Sequence, residues 1–371
     1  MAAVFAACAA EPALKEAYKN DFLIGVAVNT NQIFEHDQRG VPIIKSQFNS
    51  LAPENVLKWG PIHPKPGPDG YNFGPADRYV EFGESNHMTL VGHTLVWHSQ
   101  TPQWVFLADD GTNTVDRDTL LQRMHDHIQT VVGRYKGRIK YWDVVNEALA
   151  EDGTLRKSRW MKIIGEDYIA KAFEYAHEAD PNAVLRYNDF SLENPPKRNG
   201  AVELVKKLQA QGVPVHAVGI QCHAKLDWPT AEQESDAIDA FAKLGLKVAI
   251  TELDIDTSAS GQQNRSADIS LNGQVQTNAV KPAAPLGTNL NTNRLPDSVQ
   301  LLLAKRYSEL FGAFLKHRDT VTLVTLWGVT DGDSWLNFGR KNHPLLFDRD
   351  GQPKLAFDAV IKAAEEFHGN K

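Results

Sequence analysis

A closed (β/α)8 TIM barrel in a single domain is the fold this sequence predicts, and three observations predict it. Strand-like and helix-like runs alternate along the chain in eight pairs, the pattern of a parallel sheet built from βαβ units. No composition break divides the 371 residues, a length that α/β barrels reach as one unit. Polar and aromatic residues gather just past the strand ends, where a barrel carries its active face. A doubly wound open sheet is the competing fold. It is disfavoured because Gly25-Val26-Ala27-Val28-Asn29 holds one glycine and no glycine-rich phosphate loop.

Taken in order, the strand candidates are 23–28, 48–51, 89–96, 139–145, 183–187, 217–222, 247–251 and 321–327. Each has a helical partner downstream: 41–47, 75–85, 116–135, 167–179, 201–211, 231–244, 298–317 and 355–367, the first two with the weakest signal. Residues 1–20 form an N-terminal segment, 21–371 the barrel, and 258–296 a long insertion after the seventh strand. The insertion is rich in Asn, Gln, Ser and Ala, lacks aromatic residues and exceeds ordinary loop lengths. It reads either as a solvated connection or as a functional loop.

Two strands end in carboxylates. In Tyr141-Trp142-Asp143-Val144-Val145-Asn146-Glu147-Ala148 the valines suit a pleated interior, whereas Asn146 and Glu147 would be costly there without partners or a wet cavity. Lys247-Val248-Ala249-Ile250-Thr251-Glu252-Leu253-Asp254 repeats the pattern. Paired strand-end glutamates suggest glycoside hydrolysis; the alternative at either site is a glutamate that begins a helix.

The other strand ends are similarly furnished. Pro53-Glu54-Asn55-Val56-Leu57-Lys58-Trp59 follows the second strand. In the third, His93, Leu95 and Trp97 share a face by the period of two, with His98 and Gln100 beyond. Gln221 and His223 share a face after the sixth strand, as do Glu252 and Asp254 after the seventh; Trp327, Asp331, Asp333 and Trp335 come at the eighth. Each cluster alone has an ordinary explanation, as a helix start, a satisfied core histidine or packing tryptophans. At one end of one barrel, however, they converge on a single cleft. Tryptophan faces suit the C–H face of a sugar ring, and Asn, Gln, Lys and His suit its hydroxyls, so a neutral polysaccharide is the expected ligand.

Composition narrows the partners. Hydrophobic content of 42% and charged content of 23% are those of an ordinary globular chain. A net charge of −7 argues against nucleic acid or an anionic membrane as the main partner. No metal and no organic cofactor is expected: His93 and His98 lie five apart, His125 and His127 diverge on a helix, and no His-Glu-x-x-His pattern occurs. Residues 1–10 are small and apolar but too short to span a bilayer and without a basic start. They read as the remnant of an export signal, with Phe5-Ala6-Ala7-Cys8 similar to a lipoprotein cleavage site, or as a vector-derived terminus. Secretion or association with the cell envelope is therefore expected. Cys222 is expected to be a buried free thiol, with no structural disulfide.

At this point the motifs carry a resemblance. Trp142-Asp143-Val144-Val145-Asn146-Glu147-Ala148, Thr251-Glu252-Leu253-Asp254 and Trp327-Gly328-Val329-Thr330-Asp331-Gly332-Asp333-Ser334-Trp335 resemble the hallmark motifs of family 10 glycoside hydrolases, the endo-xylanases. Gly92-His93-Thr94-Leu95-Val96-Trp97-His98, Tyr187-Asn188-Asp189, Gly219-Ile220-Gln221-Cys222-His223 and Pro344-Leu345-Leu346-Phe347-Asp348 resemble further blocks of that family, in its order, from about Phe22 to Phe367. The resemblance implies a retaining double displacement on β-1,4-xylan, including decorated xylans such as arabinoxylan and glucuronoxylan, by a monomer. It makes Glu147 the general acid and base, and Glu252 the nucleophile. His223, with Asp254 behind it, would support Glu252, and Asn146 would hold the sugar 2-hydroxyl. Glu54, Asn55, Lys58, His93, Trp97, Gln221, Trp327 and Trp335 match glycone-side binding residues, and Tyr187 an aglycone-side contact. The insertion departs from the family pattern, which usually has a shorter connection there. Two rivals stay open: a barrel glycosidase for another β-1,4-glycan, and a non-catalytic carbohydrate-binding barrel.

Overall fold

Eight parallel strands pair with neighbours on both sides and so close into a barrel, seen here in a computed structural model that describes residues 13–258, 295–337 and 341–369. The strands are β1 (Leu23–Val28), β2 (Ser50–Pro53), β3 (Thr89–Trp97), β4 (Tyr141–Asn146), β5 (Val184–Asp189), β6 (Ala217–Ile220), β7 (Lys247–Asp256) and β8 (Val321–Leu326). Closure is made where β1 meets β8, with Leu23 opposite Leu323, and where β6 meets β7, with Ala217 opposite Lys247. All these pairings are parallel, so every strand delivers its C-terminal end to the same mouth.

The outer layer consists of α1 (Gly40–Gln47), α2 (Gly74–Ser85), α3 (Arg117–Arg134), α4 (Tyr168–Ala179), α5 (Pro195–Ala210), α6 (Ala231–Ala242), α7 (Asp297–Lys316) and α8 (Leu355–Gly369). Their starts are chemically marked. Asp116 accepts from Thr119 N to cap α3, and Thr230 with Gln233 forms a reciprocal capping box at α6. The main core lies between the strands and these helices, with Trp142, Phe173, Ile238 and Phe311 among its buried members. A smaller layer fills the barrel itself: Ala27, Ala52, Val91, Tyr141, Ala249 and Leu323, with Trp327 above them.

Several boundaries depart from the sequence reading. α5 begins at Pro195 rather than 201, because Pro195 and Pro196 occupy first-turn positions where no N–H is required. The sixth strand stops at Ile220 instead of reaching 222. Cys222 adopts φ +58°, and the chain resumes as a short strand, His223–Lys225, paired with the far end of β7. β7 runs on to Asp256 for the same reason, gaining a partner beyond residue 251. Short helices Trp59–Ile62 and Arg159–Ile163 lie in connections that carry no such expectation. Cys222 is a buried free thiol. The 1–12 part of the N-terminal segment, including Cys8, and nearly all of the 258–296 insertion lie outside the described residues. Among the described residues, no helix is long and apolar enough to cross a membrane.

Candidate active site

The mouth of the barrel is built from the bottom by an ion-pair layer. Asp143 of β4 and Arg186 of β5 project into the barrel and meet at 2.8 Å, both buried. His93 of β3 closes the group, its Nδ1 3.0 Å from Asp143 Oδ2. Burial works against ionisation of Asp143, but Arg186 and His93 outweigh it and hold its carboxyl below the usual range. This layer orients His93, whose ring stands edge-on to Trp327 at 5.4 Å.

Above it sits Glu147, at the residue where β4 has ended. Its backbone is left-handed, φ +56°, which turns the chain out of the strand and aims the side chain across the mouth. The turn is clamped: Glu147 N donates to Asn188 O at 2.9 Å, and Arg156 Nε donates to Glu147 O at 3.1 Å. The carboxylate accepts from Trp97 Nε1 at 2.9 Å on one oxygen, and from Gln221 Nε2 at 3.1 Å and Asn146 Nδ2 at 3.2 Å on the other. Burial raises its pKa and the charge of Asp189 adds to the rise. His98 and the Gln221 and Trp97 donors oppose it without reversing it.

Glu252, on β7, has the opposite electrostatics. Burial again resists ionisation, but the His223 hydrogen bond and the positive charge of His93, His223 and Lys58 outweigh it, so its carboxyl is held below the ordinary value. His223 Nε2 lies 3.4 Å from Glu252 Oε2, and its Nδ1 lies 3.0 Å from Asp254 Oδ1. Burial disfavours a charged His223, yet Asp254 and Glu252 push its pKa up to about 10. Asp254 also accepts from Trp335 Nε1 at 2.7 Å, which fixes that indole at the rim.

The two carboxylates are joined by amides. Asn188 Nδ2 donates to Glu252 Oε1 at 2.9 Å and to Asn146 Oδ1 at 2.8 Å, while Thr251 Oγ1 donates to Asn188 Oδ1 at 2.7 Å and sets the orientation of that amide. Around them, Lys58 Nζ reaches Asn55 Oδ1 at 3.2 Å and lies 5.1 Å from the centre of the Trp97 ring. Burial lowers the Lys58 pKa, and Glu252, Glu54 and Glu147 pull it back. Glu54 is raised by burial, with Lys58 opposing. Glu54, Trp327 and Trp335 line one open cleft together with Asn29 and Asp333.

The structure thus gathers at one mouth Glu54, Asn55, Lys58, His93, Trp97, Asn146, Glu147, Gln221, His223, Glu252, Asp254, Trp327 and Trp335. Tyr187 is the correction. Expected as a contact on the leaving-group side, it is fully buried, with its hydroxyl donating to Asp189. The strand alternation explains why: Arg186 and Asn188 point into the barrel, so Tyr187 between them faces the helices. Three residues of the site carry no assignment in the sequence reading: Asn188, Arg156 and Arg186. Asn188 shares a strand face with Arg186, but the run does not show from sequence which face turns inward.

Comparison with known proteins settles the family. The model of glycosyl hydrolase family 10 matches residues 13–363. The chain belongs to that family. Among its relatives, a beta-1,4-xylanase of Dictyoglomus thermophilum is 44% identical over 357 residues, covering 95% of this chain and 91% of the relative. A solved family 10 endoxylanase retrieved from a sugarcane soil metagenome is 43% identical, with a TM-score of 0.86 over 94% of this chain and 99% of that one. A xylanase of Paenibacillus barcinonensis, solved with a conduramine derivative, gives a TM-score of 0.82 at 38% identity, covering 95% of this chain and 99% of the other. The family 10 match therefore runs over residues 13–363, which include the whole mouth set out above.

Proposed function

We propose that this family 10 enzyme is a retaining endo-1,4-β-xylanase, hydrolysing internal linkages of xylan by double displacement at Glu147 and Glu252. One observation carries the reading: two carboxylates, tied through Asn146 and Asn188, are pushed apart electrostatically, Glu147 toward the acid and Glu252 toward the carboxylate. In the first step Glu147 gives its proton to the glycosidic oxygen as the C1–O bond breaks, and Glu252 bonds to C1. In the second, Glu147, now a carboxylate held by the Trp97, Gln221 and Asn146 donors, takes a proton from water, whose oxygen displaces Glu252. His223, charged between Glu252 and Asp254, keeps the nucleophile ionised before attack and stabilises it as it leaves.

Glu54, Asn55, Lys58 and Gln221 supply hydroxyl partners on the glycone side, and Trp327 and Trp335 supply apolar ring faces. Asn146, beside Glu147 and linked to Glu252 through Asn188, is the amide placed to hold the 2-hydroxyl. The whole constellation comes from one chain, which suits a monomer. A polymeric substrate suits a secreted or envelope-bound enzyme, and decorated xylans such as arabinoxylan and glucuronoxylan are included in the proposed range.

The test is sugar release from xylan, arabinoxylan and cellulose by wild type, Glu147→Ala and Glu252→Ala. Wild type should cut the xylans and leave cellulose intact. Glu252→Ala should lose several orders of magnitude on every substrate. Glu147→Ala should lose about 10²–10⁴ on xylan and far less on aryl glycosides whose leaving group needs no proton. A wild type that binds xylan without cleaving it, or a Glu252→Ala enzyme that retains turnover, would sink the assignment.

A further inference from the structure

Directly behind the active site lies a group of acids that the reaction does not use. Glu193, from the loop between β5 and α5, and Glu234, in the first turn of α6, are 1% and 0% exposed and meet Cys222, also 0% exposed. Their ligand atoms all fall within 4.8 Å of one another, and Cys222 Sγ donates to Glu234 Oε2 at 3.6 Å. Among the described residues, no side chain donates to either oxygen of Glu193 or to Oε1 of Glu234. Two buried carboxylates this close, each able only to accept and with the Cys222 thiol as their one side-chain donor, would repel each other, and a single proton held between them relieves that. Lys197 and His223 face Glu193, and Arg306 faces Glu234 and Cys222, positive charge that disfavours a bound cation in the same space.

The position of Cys222 makes this group matter to the site. It is the left-handed residue, φ +58°, between Gln221 and His223. Gln221 donates to Glu147, and His223 pairs with Glu252, so one three-residue segment touches both reacting carboxylates. A non-glycine residue in that conformation persists only if its surroundings hold it. Among the described residues, the Glu234 contact holds its side chain.

We propose that Glu193 and Glu234 share a single proton beneath Cys222, and that this buried acid pair is the positioning device that keeps Gln221 and His223 in register with Glu147 and Glu252. The inference rests on the roles given above to the two reacting glutamates. Burial raises the pKa of both acids, Glu234 the more strongly, which favours the protonated form.

The variant Glu234→Gln replaces the shared proton with an amide N–H and keeps an oxygen for Cys222. Infrared difference spectra of wild type and Glu234→Gln at neutral pH should show the carbonyl stretch of one buried protonated carboxyl disappearing, while kcat stays within about threefold. Glu234→Leu should lower kcat about tenfold or more and, because Gln221 also meets substrate hydroxyls, raise KM as well, whereas Glu234→Gln should hold both near wild type. Cys222→Ala, a small change in a buried site, should lower kcat in the same sense while the infrared band remains. Identical infrared spectra for wild type and Glu234→Gln would overturn the shared proton. Wild-type kcat in Cys222→Ala or Glu234→Leu would overturn the positioning role. The spectra do not depend on turnover, so an inactive wild type would refute the xylanase reading and leave the acid pair to be judged by its band.

Discussion

Glu147 concentrates the cost of making an active site. It combines left-handed backbone, full burial and three side-chain N–H donors on a carboxyl that the chemistry needs protonated. Donors favour the ionised form and burial disfavours it, and here burial prevails. The pH dependence follows with a definite sign. kcat/KM should fall on the acid side as Glu252 gains a proton, at a pH below the ordinary carboxyl range, and on the alkaline side as Glu147 loses its own, above that range. Trp97→Phe removes a donor that stabilises ionised Glu147, so its alkaline limb should move to higher pH while the acid limb stays in place. A pH–rate series on a xylo-oligosaccharide, whose leaving sugar needs the proton of Glu147, reads both limbs; an alkaline limb that moves down in Trp97→Phe would contradict this account.

At the scale of elements, the site depends on how closely β5 and β6 approach. A Cβ on Gly219 would stand 2.1 Å from Asn188 Oδ1, so glycine at this strand position is what admits the amide that links Glu252 to Asn146. Gly219→Ala should cost about 1–3 kcal/mol in urea unfolding through overpacking. It should also reduce kcat, because Asn188 must move off Glu252; an alanine variant with wild-type stability and kcat would refute the close approach. The sequence made the strands legible through their apolar runs, and it made Glu147 and Glu252 legible because a carboxylate at the end of such a run has no other easy explanation. It hid Asn188 and Arg186, since inward-facing polar residues on β5 alternate with Leu185 and Tyr187 in a run that reads equally well from either face. Tyr187 was misplaced by the resemblance, which marks the block but not which of its residues turns to the mouth. The early start of α5 was hidden by two prolines, and the break at Cys222 by a side chain that gives no turn signal of its own.

The whole molecule has to keep its barrel while carrying this many buried titratable groups, and one of them lies far from the chemistry in sequence role but not in consequence. His127 of α3 is fully buried, stacked on Trp59 with ring centres 3.7 Å apart, and its Nδ1 lies 3.4 Å from His63 Nδ1. His63 in turn stacks on Tyr71 at 3.6 Å, so the stack ties α3 to the segments that follow β2. Burial drives the His127 pKa well below 6.5, and the neighbouring His63 adds to that. In the unfolded chain the same ring gains its proton near pH 6.5. The unfolded state therefore binds more protons below that point, and the stability held by neutral His127 is complete above about pH 6.5 and drains away as the pH falls beneath it. A single such group changes stability by at most roughly 1.4 kcal/mol per pH unit, down to its folded-state pKa. His127→Phe keeps a ring against Trp59 and removes the titration. Its unfolding free energy in urea should therefore decline less steeply than that of wild type between about pH 6.5 and pH 5, whatever its absolute stability at neutral pH. Parallel slopes for the two proteins over that window would show that His127 is charged in the fold, and that the stack tolerates an imidazolium its apolar surroundings should expel.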